Sequence, residues 1–396
     1  MKKPSMLYAS PFPPIRSGIS EYSATLVQEL KKDFEITLYT DSGASEDRSP
    51  SGFRVLRPGE EPVNPMAFDY RVYNMGNQPD FHGYIYEMAL ACPGHVILHD
   101  VNLYYLFTGY HLRKEDFYSA LYRNEGLHVL REILRYKRMH GVQDLLHCDA
   151  LAAEYAMNME LLRTDNRFIV HSEYAKSRIL SSVEMEEDRI LKTGMIEQVE
   201  KESRRIRKEK LYRKYRIPKD ALVLAAFGII SDTKLNRETA QAVREMNQAG
   251  GLPPICYVMV GEGSTADDLL DGRNTVKTGY VTISELNSMM EYADIVVNLR
   301  NPTRGETSAA MIRALQLGKP CITNNGGWFS EIPEDCVRKI ELTDVETHLR
   351  EEIRDLITHP EAAREMGEKA KAYIRRESSR DRIRGEIFSF LTGNPA

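Results

Sequence analysis

The residues best equipped for chemistry lie in one stretch, Asn298-Leu299-Arg300-Asn301-Pro302-Thr303-Arg304-Gly305-Glu306-Thr307-Ser308, which joins an apolar run to an amphipathic segment ending at Gly318-Lys319-Pro320. The pattern predicts a strand, a glycine-containing turn, and a helix capped by Thr307 or Ser308 and stopped by Gly318 and Pro320. The first N–H groups of a helix have no intrahelical acceptor and, with the helix dipole, suit a diphosphate. Glu306 beside them would repel phosphate, but a carboxylate accepts hydrogen bonds well from sugar hydroxyls. Phosphate and polyol recognised side by side point to a nucleotide sugar. Two other turns agree. Phe227-Gly228-Ile229-Ile230-Ser231-Asp232-Thr233-Lys234 follows an apolar run, so Gly228 permits close backbone approach and Lys234 offers a cation for a departing diphosphate. Pro13-Pro14-Ile15-Arg16-Ser17-Gly18-Ile19 follows the first apolar run, and Gly18 opens the next helical segment, again bare backbone for a phosphate or sugar. His99 and Asp100 end a further apolar run, where an imidazole would orient a sugar or position an acceptor.

The elements that must hold these groups show as two series of short apolar runs. Met6–Ala9, Ile36–Tyr39, Arg71–Tyr73, Val96–Leu98 and Phe168–Val170 form the first, and Leu222–Ala226, Cys256–Val260, Ile295–Leu299 and Cys321–Thr323 the second. Runs of this kind alternating with helix-length amphipathic segments predict βαβ units and parallel sheets. Two series predict two doubly wound α/β domains, with ligands at the carboxyl ends of the strands in a crevice between them. The boundary is placed in the basic run 199–216, read as a solvated helix because Glu197, Glu200, Glu202 and Glu209 dilute its charge. A helical stretch, His111 to His140, interleaves Phe117, Tyr118, Leu121, Tyr122, Leu127, Leu130, Ile133, Leu134 and Tyr136 with Arg and Lys. It is read equally as core packing and as acceptor recognition.

Composition bounds the function. At 396 residues the chain is long enough for two domains, and 53 Lys and Arg against 58 Asp and Glu argue against a global nucleic-acid footprint. The five cysteines are scattered and never paired as C-x-x-C, which predicts reduced, buried thiols rather than a disulfide framework or zinc site. The apolar run after Lys2-Lys3 is too short for a signal peptide, and no stretch is long enough to span a membrane. The expectation is a cytoplasmic protein whose membrane contact, if any, is peripheral.

With these residues in view, the chain resembles the retaining glycosyltransferases of family 4, of GT-B fold. The resemblance rests on Ser10-Pro11-Phe12-Pro13-Pro14 with Ser17-Gly18-Ile19, Gly76-Asn77 with His82, Leu98-His99-Asp100, Val170-His171-Ser172-Glu173, Phe227-Gly228 to Lys234, Val260-Gly261-Glu262-Gly263, Gly279-Tyr280-Val281, and the Glu306 segment through Pro320. It implies two Rossmann-like domains facing a central crevice: an acceptor-side domain 1–198 with a helical insertion at about 111–150, a nucleotide-sugar-binding domain 199–377, and a C-terminal helix in 378–396 crossing back to the first. The implied reaction transfers a hexose from a UDP- or GDP-linked donor to an acceptor hydroxyl with retention and without metal or other cofactor. In that scheme Glu306 holds donor-sugar hydroxyls, and Lys234, an Arg and the Thr307-Ser308 amides stabilise the leaving diphosphate. Gly261, Tyr280 and Val281 flank the base, His99 and Asp100 act on the sugar or acceptor, and Asn77, His82 and Ser172 lie on the acceptor side. The acceptor is a saccharide, a lipid-linked species or a protein.

Two positions depart from the family pattern. Arg313 stands where a ribose-binding Glu is usual, and Ile229 where an Arg usually follows the glycine, so Arg300 or Arg304 is expected to supply Lys234 with a cationic partner. The competing readings are a nucleotide-sugar epimerase, a catalytically silent GT-B-like binding subunit, and a transferase modifying a nucleic acid through the basic run.

Overall fold

The computed structural model describes residues 2–15, 17–41, 52–60, 62–196 and 205–394. Within them two sheets form, with every strand pairing parallel. The first contains β1 (Ser5–Ala9), β2 (Glu35–Tyr39), β3 (Arg54–Leu56), β4 (Tyr70–Met75), β5 (His95–Leu98), β6 (Arg167–Val170) and β7 (Ile190–Lys192), in the order β3-β2-β1-β4-β5-β6-β7. The second contains β8 (Leu222–Phe227), β9 (Ile255–Val260), β10 (Thr275–Lys277), β11 (Ile295–Val297), β12 (Cys321–Asn324) and β13 (Arg338–Ile340), in the order β10-β9-β8-β11-β12-β13. Helices cross over between strands, for example Gly18–Leu30 between β1 and β2 and Asn236–Ala249 between β8 and β9. Register is set by burial: Tyr8 lies between Leu38 and Val72, and Leu224 between Tyr257 and Ile295. In both sheets the chain winds one way from its first strand and then back past it, so the reversal falls between β1 and β4 and between β8 and β11.

All nine strand positions expected from the apolar runs are strands, although β11 ends at Val297 rather than Leu299. Four strands went unexpected, β3, β7, β10 and β13, and these are the sheet edges. Each is three residues long and incompletely buried, so none has the unbroken apolar run of a strand covered on both faces.

The chain divides into two compact units: Met1–Ile196 with Arg304–Thr307 and Ser378–Ala396, and Glu197–Thr303 with Ser308–Glu377. The short segment Arg304–Thr307 thus groups with the first unit. Within the first unit the helix Arg380–Thr392 buries Ile383, Ile387 and Leu391. Arg384 reaches both carboxylate oxygens of Asp33 at 2.9 and 2.8 Å, and Arg167 donates to the Phe390 carbonyl while lying 4.0 Å from its ring centroid. The helical insertion begins earlier than expected, with Tyr104–Arg113, and continues as Phe117–His147. That second helix is broken by the non-helical backbone of Gly126 and Gly141. Phe117, Leu121 and Ile133 enter a core with Phe107 and Leu145, as the core-packing reading expects, whereas Tyr122, Leu127 and Leu134 stay exposed.

Of the basic run, residues 199–204 lie outside the described residues. The described remainder contains the helix Lys208–Tyr215, with Leu211 and Tyr212 buried and Lys214 paired to Glu285. The five cysteines are free, and Cys256, Cys321 and Cys336 are buried. No helix among the described residues is long and apolar enough to cross a membrane.

Ile387→Ala is expected to destabilise the chain by about 2–5 kcal/mol, since the deleted atoms leave a cavity in a fully packed face. Met66→Ala, at a side chain 68% exposed, should change little. Urea denaturation followed by circular dichroism measures both.

Candidate functional site

In the first unit the carboxyl ends of β1, β4 and β5 converge on a buried polar cluster centred on Asn74. Asn74 is fully buried on β4, and its Nδ2 donates to the hydroxyls of Ser10, at 3.1 Å, and Ser23. The protons of that cluster can be accounted for. A carbonyl only accepts, so Ser10 donates to the Pro11 carbonyl at 3.0 Å, and Ser23 then donates to Ser10 at 2.6 Å. Both hydroxyl oxygens must therefore accept from Asn74, which turns the Asn74 Oδ1 toward His99 Nε2 at 2.7 Å. His99 is thereby held as the Nε2–H tautomer, with its lone pair on Nδ1. His82 and His171 take the opposite tautomer, each donating Nδ1–H to a backbone carbonyl, that of Asn74 at 3.2 Å and that of Thr193 at 3.3 Å.

Tyr22 packs edge-on against both His99 and His171, whose own ring centroids are 5.0 Å apart. Burial pushes His82 and His171 down to about 4. It holds His99 well below its ordinary value too, reinforced by the two neighbouring imidazoles, because a charged ring in this cluster would be both desolvated and repelled. His99 is thus a neutral ring with a fixed tautomer at a strand end. Asp100 beside it is half-buried.

Asn77 and Ser172, also in this unit, each satisfy a helix N-terminus. Asn77 Oδ1 accepts from the N–H groups of Tyr105 and Leu106, both at 3.0 Å, and so caps the helix Tyr104–Arg113 from outside. Ser172 is fully buried and caps the helix Glu173–Ser182 by accepting from Ala175 N–H at 3.0 Å. His82 is buried behind Asn74, so its contact is with the cluster rather than with solvent. Gly18 is exposed at the start of its helix, where an added Cβ would meet nothing within 4 Å. Glu306 accepts from the Arg304 N–H at 2.7 Å. The Arg304 guanidinium donates to Asp149 at 2.5 Å and to the Tyr105 hydroxyl at 3.1 Å, and lies 4.9 Å from the Tyr105 ring centroid. Arg304 is therefore engaged by Asp149 and Tyr105. Thr307 also falls in this unit.

In the second unit the loops after β8, β9 and β11 form the corresponding edge. Gly228 has φ +92°, and a Cβ there would lie 2.8 Å from Lys234 Nζ, which donates to the Phe227 carbonyl at 2.7 Å. A Cβ on Gly261 would lie 2.0 Å from the Gly228 carbonyl oxygen, so loop-on-loop packing alone excludes a side chain there. The Asn301 N–H donates to the Thr233 carbonyl at 2.8 Å, and the Arg300 N–H to Asn324 Oδ1 at 2.7 Å. The turn carrying Arg300 is thus tied beside the turn carrying Lys234.

Of the two expected caps, Ser308 is the one used: its oxygen accepts from Met311 N–H at 3.2 Å and from Asn298 Nδ2 at 2.8 Å, opening the helix Ala309–Gln316. Arg313 is buried on that helix. Tyr280 is half exposed, Val281 is buried, and Ile229 is 74% exposed. Among the described residues no three His, Cys, Asp or Glu side chains are grouped to hold a metal ion. Asn74 and Ser23 are not among the residues expected from sequence, and Ser10 enters there only within the Ser10–Pro14 segment. The signal for Asn74 is a polar residue between Val72-Tyr73 and Met75 near the end of β4.

No family model matches the sequence, and comparison with curated proteins finds no match. Solved structures do match in fold. The chain is similar to Anabaena HepE in complex with UDP-glucose, at 11% identity and TM-score 0.62, over 99% of this chain and 100% of that one. WaaG, a glycosyltransferase involved in lipopolysaccharide biosynthesis, gives 15% identity and TM-score 0.60 over 98% of this chain and 100% of its own. Sucrose-phosphate synthase from Thermosynechococcus elongatus gives 13% identity and TM-score 0.65 over 99% and 100%. These likenesses show the fold: parallel sheets with flanking helices in the GT-B arrangement of strands.

Proposed function

We propose that the chain is a retaining glycosyltransferase that moves a hexose from a UDP- or GDP-linked donor to an acceptor hydroxyl. The observation that carries this reading is the tie between Asn301 N–H and the Thr233 carbonyl, which sets the Arg300 and Lys234 turns side by side at the strand reversal of the second sheet. Two cations and a helix N-terminus at that edge suit a diphosphate, and the shared fold with HepE, seen with UDP-glucose, supports a nucleotide-sugar donor. In this reading the second unit binds the donor's nucleoside diphosphate, and the first binds the acceptor, a saccharide, lipid-linked species or protein, and contributes Glu306 to the donor sugar. Free cysteines accord with a reducing, cytoplasmic setting.

Charge grows on the leaving diphosphate as the glycosidic bond breaks, and fixed cations answer it without reorganisation, so the proposed mechanism requires no metal. Nucleophile and leaving group act on the same face, with no covalent enzyme intermediate. Glu306 accepts from donor-sugar hydroxyls. His99, neutral and with Nδ1 as its acceptor atom, receives a hydroxyl hydrogen bond rather than donating one.

A thermal-shift series with UDP, GDP, TDP, ADP and their sugar conjugates tests the donor. A selective rise is expected, about 2.7 kcal/mol of stabilisation at a hundredfold excess over Kd. A folded sample that responds to none of them assigns the silent-subunit reading instead. Lys234→Ala and Glu306→Ala should each lower turnover about 10²–10³-fold with the fold intact, and His99→Ala about tenfold, measured by release of the nucleoside diphosphate. Wild-type turnover in the first two would remove them from the site.

The histidine cluster sets an acid limit. The unfolded chain binds protons at these imidazoles below about pH 6.5 while the folded chain keeps them neutral down to about 4, so stability falls with pH across that window. The expected slope is on the order of 1.4 kcal/mol per pH unit for each imidazole. Urea denaturation at pH 7 and pH 5, with His82→Asn reducing the difference by one imidazole's share, measures it.

A further inference from the structure

The breaks at Gly126 and Gly141 isolate residues 127–140 of the insertion as a helical segment with two unlike faces. Val129 and Ile133 are buried in the first unit's helical core. On the opposite side Leu127, Arg131, Leu134 and Arg138 follow one another at i, i+4, i+7 and i+11, a single stripe of the helix, with Arg135 and Met139 beside it. Leu127, Leu134 and Met139 are 48, 38 and 61% exposed, and the three arginines are exposed as well. None of these arginines makes an ion pair among the described residues. The segment carries four Lys and Arg against one acid, Glu132, in a chain whose formal charge is −5. Long apolar side chains alternating with unpaired guanidinium groups match a surface that offers hydrocarbon just beneath negative charge, which is the outer layer of an anionic bilayer.

We infer that the outward face of residues 127–140 docks the protein on anionic lipid membranes, with the arginines at the headgroups and Leu127, Leu134 and Met139 in the acyl boundary. This inference stands on the helix alone and holds whatever reaction the chain catalyses. Apolar insertion separates it from a nucleic-acid site, which would use the same arginines but leave the leucines idle.

The test is vesicle flotation of the full-length protein with phosphatidylcholine alone and with phosphatidylcholine containing phosphatidylglycerol. Binding is expected only to the second mixture, weakened by salt. Each arginine should be worth about five-fold, so the Arg131→Gln/Arg135→Gln/Arg138→Gln variant should bind roughly 10²-fold more weakly. The Leu127→Ser/Leu134→Ser/Met139→Ser variant should also lose vesicle binding. Both sets lie on an exposed face, and an unchanged melting temperature verifies the fold. Failure of the wild-type protein to float with anionic vesicles overturns the inference, as does wild-type binding by either folded variant. Binding of a single-stranded RNA oligomer that competes fully with vesicles and is insensitive to the serine variant also overturns it, in favour of nucleic acid.

Discussion

Parallel pairing is the constraint on which the rest of this molecule depends. Adjacent strands that run the same way need a crossover on one face of the sheet, and when the winding direction changes beside the first strand the crossovers on either side leave to opposite faces. The loops at that reversal are then uncovered at the carboxyl edge. Both sheets have the same order around their first strand, so each unit opens one edge: Ser10, Asn74 and His99 at the first, Gly228, Lys234 and Arg300 at the second. Within each unit, residues far apart in the chain meet at that edge because parallel pairing brings the carboxyl ends of neighbouring strands side by side.

At these edges structural and chemical roles are divided among residues that look alike in the sequence. Asn77, Ser172 and Ser308 satisfy helix N-termini, and Gly261 is excluded from bearing a side chain by the carbonyl of Gly228. Asn74 does something different. By donating twice to serine oxygens that have already given up their protons, it has only an acceptor left for His99, and so determines which ring nitrogen carries the hydrogen. Burial then keeps that ring neutral.

The helical insertion shows how one segment serves two surroundings. Its inner side chains build a satellite core with Phe107 and Leu145, while its outer side mixes arginine with leucine and methionine. Neither aromatic content nor charge by itself distinguishes these sides. The division follows from the 3.6-residue period together with the glycine breaks that reset it.

The central strands were legible from the chain itself because a strand covered on both faces must be apolar throughout, as Met6–Ala9 and Cys256–Val260 are. So were the glycine turns after β1, β8 and β11, since strand, turn and helix are local patterns. The four edge strands were not, because a short, half-covered strand has no such run, and its pairing is decided by a neighbour distant in sequence. The same limit applied to the site. Arg300 and Arg304 are equivalent by composition, and only folding shows that Asp149 and Tyr105 engage one while Thr233 and Asn324 hold the backbone around the other. Residue type and local spacing determine which groups can do chemistry. Which of them remain turned toward a ligand depends on hydrogen-bond partners brought from remote parts of the chain, and those exist only in the tertiary structure.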